Sequence, residues 1–356
     1  MLDDIDIAEL SHRPGLKWAR ATGGTIAAWV ADMDFPPPDP VRDAIAGADL
    51  CYPVWEQDPG ANPLIGAYVR RTQSKWGHRP EPNSIRFFTE MIQALQAILY
   101  VATAPGDAVA MHTPSYPPFL ETIELMGRRL VPIPMVDTGS RWTFDIDRRA
   151  LAECTALILV NPQNPTGRVF THDELAALAA VAETHDLLVI ADEIHAELTY
   201  EPHRHLPFAS FAPHRTITLA SASKAFNLAG LRCAIADVAV PHVRKALDAL
   251  PPRMLGEPGT AGILGTLAAW EHGDPWLAEV RALLARNRDL VAAAFPGQHP
   301  PEGTYLAWLR MADPAGWGVL LNPGPDFGPG GDGYMRLNFA TSRPVLDEIL
   351  RRLATR

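Results

Sequence analysis

Lys224 sits in the run ASASKAFNLAGLRC, residues 220–233, between small hydroxyls at Ser221 and Ser223 and a guanidinium downstream at Arg232. The run TITLAS just before it is β-branched and apolar and reads as a short buried strand, so the lysine lies just past a strand's carboxyl end. In open α/β sheets, ligands bind at such ends. A lysine of ordinary pKa, about 10.4, is almost wholly protonated at neutral pH, so attack on a carbonyl needs a site that favours its neutral or imine form. The serines and the arginine are short donors and a planar cation, a set suited to phosphate. An aldehyde and a phosphate on one ligand describe pyridoxal 5'-phosphate (PLP). The alternative is a solvated lysine in a Ser/Ala-rich loop.

Four other segments carry groups of matching chemistry. VNPQNPTGRV, 160–169, follows the apolar run TALILV and turns on two Asn-Pro steps, which presents Asn164 from a strand end. LLVIADEIH, 187–195, closes a buried strand with Asp192 and Glu193, and a carboxylate there is costly to bury unless it meets a cation or a strong donor. MHTPSYPPF, 111–119, presents Tyr116 after another strand. YMRLNFA, 334–340, holds Arg336 within an apolar strand.

The elements that must position these groups alternate along the chain. After a polar first segment to about Trp29, read as an arm or loop over the body, the prolines at 36–38 and 40 force an extended path into a helix over 39–48. Apolar spacing predicts a helix between Gly60 and Gly77, and another over 89–103 with Thr89 as its N-cap and a first turn that points N–H groups at an anion. Strand-like runs then interleave with helices: DAVAMHT, RRLVPIP, TALILV, the helix at 173–186, LLVIAD, TITLAS and RCAIADVAV. This pattern indicates a mostly parallel sheet covered on both faces. Beyond Pro241 helical spacing dominates to Phe295, followed by strand-like TYLAWL, GVLL and YMRLNFA and a helix over 343–353. The Gly/Pro cluster at 322–333 reads as a mobile loop, and the compact stretch 251–262 as a segment that reshapes the substrate entrance.

The chain of 356 residues exceeds the usual size of one compact unit, which predicts two closely packed domains. A formal net charge of −10 argues against nucleic acid and anionic membrane surfaces as partners. The three cysteines, Cys51, Cys154 and Cys233, form neither a disulfide framework nor a metal spacing, and the 12 histidines show no zinc motif, so no metal is expected. The acidic first residues and the absence of any long apolar run predict a cytoplasmic protein.

Together these segments resemble fold-type I PLP enzymes, the aminotransferase class I/II family, across essentially the whole chain: NPxNPTG, then DE, then SxSK with a later arginine, then RxN. Lys17 with Trp18, WVADMDF at 29–35, the aromatic loop around Tyr52, TPSY, DEIH, SKAFNLAGL and PEGTYLAWL resemble the cystathionine β-lyase branch of bacterial carbon-sulfur lyases. The resemblance implies an α/β fold: a large domain with a mostly parallel sheet, aspartate aminotransferase-like, and a smaller α+β domain built from both termini. The expected divisions are an arm with part of the small domain (1–35), a PLP-binding domain (36–245) and a C-terminal small domain (246–356).

It also implies roles. Lys224 would form the Schiff base, Asp192 would pair with the pyridine nitrogen and keep the ring an electron sink, Asn164 would hydrogen-bond the phenolic oxygen, and Tyr116 would lie against the ring face. Ser221, Ser223 and Arg232 match phosphate-binding positions, with backbone N–H groups around Met91 and Ile92. Here the chain departs from the family, which often has a small residue where this chain has Glu90. Arg336 matches the clamp for the substrate carboxylate, with Trp29 and Asn164 nearby. Tyr52 matches a tyrosine donated across a homodimer to the neighbouring cofactor. His195 falls near the phenolic oxygen, where a satisfied core histidine is the competing reading. The implied activity is α,β-elimination on cystathionine or another cysteine thioether. An aminotransferase would use the same groups, and a non-catalytic regulator would leave them unexplained.

Overall fold

The computed structural model describes residues 2–56, 58–251, 254–314 and 316–354. Among these, the short strand β1 (Ile26–Ala27) precedes eight strands of one sheet: β2 (Ile85–Phe88), β3 (Ala108–Thr113), β4 (Arg129–Asp137), β5 (Trp142–Phe144), β6 (Cys154–Val160), β7 (Leu188–Asp192), β8 (Thr216–Ala220) and β9 (Ala234–Val238). Their spatial order is β2-β9-β8-β7-β6-β3-β4-β5. The central pairs β4/β3, β3/β6, β6/β7 and β7/β8 are parallel. Both margins are antiparallel, β8/β9/β2 on one side and β4/β5 on the other, around the mostly parallel body that the sequence reading expected. The marginal strands β2 and β5 are short and lack a distinctive period, which is why they escape detection in the sequence.

The central strands are buried on both faces, and their alternation sorts side chains between two cores. Leu157, Leu159, Val189 and Ala191 enter one cluster, whereas Ile158, Val160 and Ile190 enter the other. The same alternation carries past the strand ends. Asp192 continues the Ile190 face, and Glu193 the opposite one.

The remaining strands, β10 (Leu306–Arg310), β11 (Val319–Leu320), β12 (Asn322–Pro323) and β13 (Tyr334–Asn338), lie after the long helix Asp274–Ala294. β10, β13 and β12 form an antiparallel sheet, and β11 pairs in parallel with β1, so residues from both ends of the chain meet. The helix Thr260–His272 packs on the helices Asp39–Ala46 and Pro63–Trp76.

Two expectations are corrected. The helix expected over 89–103 spans Met91–Ala102, and its N-cap position is Glu90, not Thr89. Thr89 instead donates its N–H and hydroxyl to Gln93 Oε1, both at 2.8 Å. The segment 322–333 is a packed element, not a mobile loop: it contains β12 and a 3-10 turn, Phe327 is fully buried, and the Gly324 and Gly331 backbones approach too closely for a Cβ at either position. The first segment, expected as an arm or loop over the body, contains the helices Ile7–Ser11 and Leu16–Ala19 and buries Lys17 and Trp18. In the stretch 251–262, Pro252 and Arg253 lie outside the described residues; Leu255 accepts from Gln93 Nε2 at 2.6 Å, tying this stretch to the start of the helix at Met91.

Candidate active site

The carboxyl ends of β3, β6, β7 and β8 open on one edge of the sheet; Tyr116, Asn164 and Lys224 follow the ends of β3, β6 and β8, and Asp192 is the last residue of β7. Register sets Asp192 opposite Val160 on one side and Leu219 on the other. Its carboxylate accepts from the Ile194 N–H at 3.0 Å. Burial raises its pKa to about 7, against the pull of that N–H and of Lys224. Glu193, across the strand, is spent on structure: it bonds His205 Nε2 at 3.0 Å and accepts from the Phe208 N–H at 2.9 Å.

Lys224 donates to the carbonyl of Ala31 at 2.7 Å. Burial lowers its pKa, opposed by Asp32 and Asp192 and assisted by Arg336, so the amine is pushed toward the neutral form that attack on a carbonyl requires. The loop that supplies Ala31 is latched to the lysine turn by Asn227, which accepts from Met33 N–H at 3.0 Å and donates to the carbonyls of Met33 and Phe35. Asn227 takes a left-handed conformation at φ 57°, which Asn tolerates better than most residues.

Arg336 is buried on β13. It donates to Asn164 Oδ1 at 3.1 Å, to the carbonyl of Trp29 at 3.0 Å and to Asn322 Oδ1 at 2.9 Å, and its guanidinium lies over the Phe327 ring at 4.9 Å. Burial lowers its pKa to about 10, which leaves it cationic at neutral pH. Among the described residues its Nε has no hydrogen-bond partner, so a buried cation keeps donor capacity that an anion would satisfy. Tyr116 heads the helix Pro117–Leu125 with its ring edge-on to Phe119, and burial raises its hydroxyl pKa. His195 is buried edge-on to Tyr305, with Nδ1 unpartnered, and burial lowers its pKa to about 3, so the ring is neutral.

The expected phosphate grip is only partly assembled. Ser221 Oγ donates to the Cys233 carbonyl at 2.7 Å and accepts from the Ser223 N–H at 3.1 Å, and Arg232 pairs with Glu90 at 2.8 Å. Met91 and Ile92 open their helix as expected, ahead of its first ladder bond from Ala94 to Glu90. Tyr52 stands apart from the other groups within this chain and is 88% exposed. Five participants escaped the sequence reading: Ala31, Asn227, Tyr305, Asn322 and Phe327. Three of these lay in runs already singled out: Asn227 in the one that carries Lys224, Ala31 in WVADMDF and Tyr305 in PEGTYLAWL.

These groups suit PLP. An amine of lowered pKa, a buried carboxylate with no ion pair among the described residues, a buried guanidinium with a spare donor and an outward-facing arginine match an aldehyde, a basic ring nitrogen, a substrate carboxylate and a phosphate.

Residues 70–353 match the model of the aminotransferase class I and II family, and the chain belongs to that family. The cystathionine beta-lyase PatB of Bacillus subtilis is 30% identical, with 91% of this chain and 90% of that protein aligned. Among solved structures, the PLP-bound C-S lyase from Staphylococcus hominis superposes with a TM-score of 0.88 at 25% identity, covering 99% of this chain and 98% of that one. The N-succinyldiaminopimelate aminotransferase of Mycobacterium tuberculosis superposes with a TM-score of 0.80 at 29% identity, covering 92% of each.

Proposed function

We propose that this chain is a PLP-dependent carbon-sulfur β-lyase that cleaves cystathionine or a related cysteine thioether, consuming one water and yielding a thiol, pyruvate and ammonium. The observation that carries the reading is the Lys224 amine, driven toward neutrality by burial and flanked by the charges of Asp192 and Arg336. Full-length similarity to a cystathionine beta-lyase supports the choice of reaction.

When bound, PLP supplies an aldehyde that condenses with amines and a ring that accepts the electron pair of a Cα–H bond. The chain's own groups do the rest. Asp192 would hold a proton on the ring nitrogen, Asn164 would bond the phenolic oxygen, and Tyr116 would pack on the ring. Arg336, pre-oriented by Asn164, Asn322 and the Trp29 carbonyl, would bind the substrate carboxylate and so orient the amino acid. The Lys224 amine would serve as the base that takes the proton from the substrate's Cα. Ser223, Arg232 and the N–H groups of Met91 and Ile92 would hold the phosphate, with Ser221 bracing Ser223. His195, neutral, borders the site beside Tyr305.

The same groups support a second reading, amino transfer to a 2-oxo acid, favoured by the likeness to a solved aminotransferase. Purified protein given L-cystathionine separates the two. Thiol and pyruvate released without added oxo acid are expected, and product formed only when an oxo acid is present overturns the lyase assignment.

The proposal extends to a homodimer in which Tyr52 completes the neighbouring site, supported by the exposed run of Leu50, Tyr52 and Val54. Arm, PLP-binding and C-terminal units at 1–35, 36–245 and 246–356 belong to it too, supported by the pairing of β1 with β11. A cytoplasmic setting accords with three unpaired cysteines, and among the described residues no helix is long and apolar enough to cross a membrane.

A further inference from the structure

Arg232 is placed with little freedom. It ends the short 3-10 turn Ala229–Leu231 in a left-handed conformation at φ 53°, two positions past Gly230 and directly before Cys233, whose carbonyl is tied to Ser221. Its guanidinium meets Glu90 at 2.8 Å. Glu90 reaches it because the carboxylate has no duty in its own helix. The residue occupies the N-cap position of Met91–Ala102 but makes no side-chain cap, and the neighbouring donors of Thr89 are satisfied by Gln93. An acid at a helix start is itself favoured by the helix dipole. The carboxylate therefore draws on the two positive elements, a helix N-terminus and a guanidinium, that a phosphate at this edge of the sheet would use.

We propose that Glu90 is a built-in competitor for the cofactor phosphate: it occupies Arg232 in the cofactor-free protein and is displaced when the phosphate arrives. The proposal rests on the reading of Arg232 as a phosphate ligand. The exchange is feasible because the ion pair is accessible, with Arg232 60% and Glu90 38% exposed, and pairs of that kind contribute little to stability. A phosphate dianion brings more acceptor oxygens and more charge than a carboxylate, so it wins the arginine. It does so against a tax, since the displaced carboxylate stays near the incoming charge. PLP occupancy in this protein is accordingly weaker than the rest of the site would provide, and more responsive to cofactor supply.

The test is an equilibrium titration of cofactor-stripped protein with PLP and, separately, with pyridoxal, which has the aldehyde and ring but no phosphate. Binding is read from the absorbance of the lysine adduct. Glu90→Gln, and Glu90→Ser as a second variant, are expected to tighten PLP binding by about threefold to tenfold and to leave pyridoxal binding unchanged. Arg232→Gln is expected to weaken PLP binding, and the gain from Glu90→Gln is expected to vanish in the double variant. Equal tightening of PLP and pyridoxal, or no change in either, overturns the proposal while the Arg232 assignment stands on the single arginine variant. If Arg232→Gln leaves PLP affinity unaltered, the assignment beneath the proposal fails and takes the proposal with it.

Discussion

Lys224 and Tyr305 share one acceptor: the carbonyl oxygen of Ala31 receives the lysine amine at 2.7 Å and the tyrosine hydroxyl at 2.8 Å. Three distant parts of the chain thus meet at a single atom. While Tyr305 occupies part of the carbonyl's capacity, the ammonium form of Lys224 gains less from it, which favours the neutral amine. Tyr305→Phe should remove about 1 kcal/mol of stability, the usual contribution of such a bond. The diagnostic effect is on titration: with the carbonyl left to Lys224 alone, the amine of cofactor-stripped protein should hold its proton to higher pH, so the acid limb of the pH profile for PLP adduct formation should move to higher pH. A profile identical to that of the unaltered protein would show that the shared acceptor is only structural.

Asp192 makes stability depend on pH in a direction opposite to that of most carboxylates. Its pKa in the folded protein is raised to about 7 from an ordinary 3.8, so the native state holds the proton more tightly than the unfolded chain. Below pH 4 both states are protonated and the group contributes no difference; as pH climbs through 7 the folded protein must bury a charge, at a cost of up to roughly 4 kcal/mol. Cofactor-free Asp192→Asn protein should therefore be more stable than the unaltered protein at pH 8, and the gap should close toward pH 4. Melting temperatures across that range test it. In the presence of cofactor the same variant should lose about a hundredfold or more in turnover, because the ring nitrogen loses its ionic partner.

Arg336 is held in a planar frame by two asparagines and a carbonyl, and an ammonium cannot reproduce those contacts. Arg336→Lys should raise KM for the amino-acid substrate by about tenfold to a hundredfold, in line with the roughly 1.5–3 kcal/mol of a charged hydrogen bond, with a smaller change in kcat. An unchanged KM would move the carboxylate clamp elsewhere.

Tyr52 provides a test of shared sites. If each tyrosine serves the neighbouring subunit, Lys224→Ala and Tyr52→Ala proteins, each impaired alone, should regain activity when refolded together. Random pairing yields one intact site in each mixed dimer, or about a quarter of the unaltered activity. Failure of the mixture to exceed its components would confine the site to one chain.

The sequence by itself determined the strand and helix alternation and the identities of Lys224, Asp192, Asn164, Tyr116 and Arg336 as chemically loaded residues at strand ends or within a strand. These are local properties: apolar runs, proline turns, and polar groups placed where burial is costly. Even the division of labour between Asp192 and Glu193 follows from the two-residue period of a strand, once the strand's faces are known. Tertiary structure alone decided the partners. Arg336 finds the Trp29 carbonyl and Lys224 that of Ala31, pairings across most of the chain made through backbone atoms that every residue possesses. Glu90 and Arg232 likewise stand far apart in sequence, and only the antiparallel pairing of β2 with β9, which brings Phe88 beside Ala234, draws their two segments together. Such contacts depend on how rigid elements dock rather than on any local pattern, so the groups could be named from the chain, but their arrangement had to be folded into being.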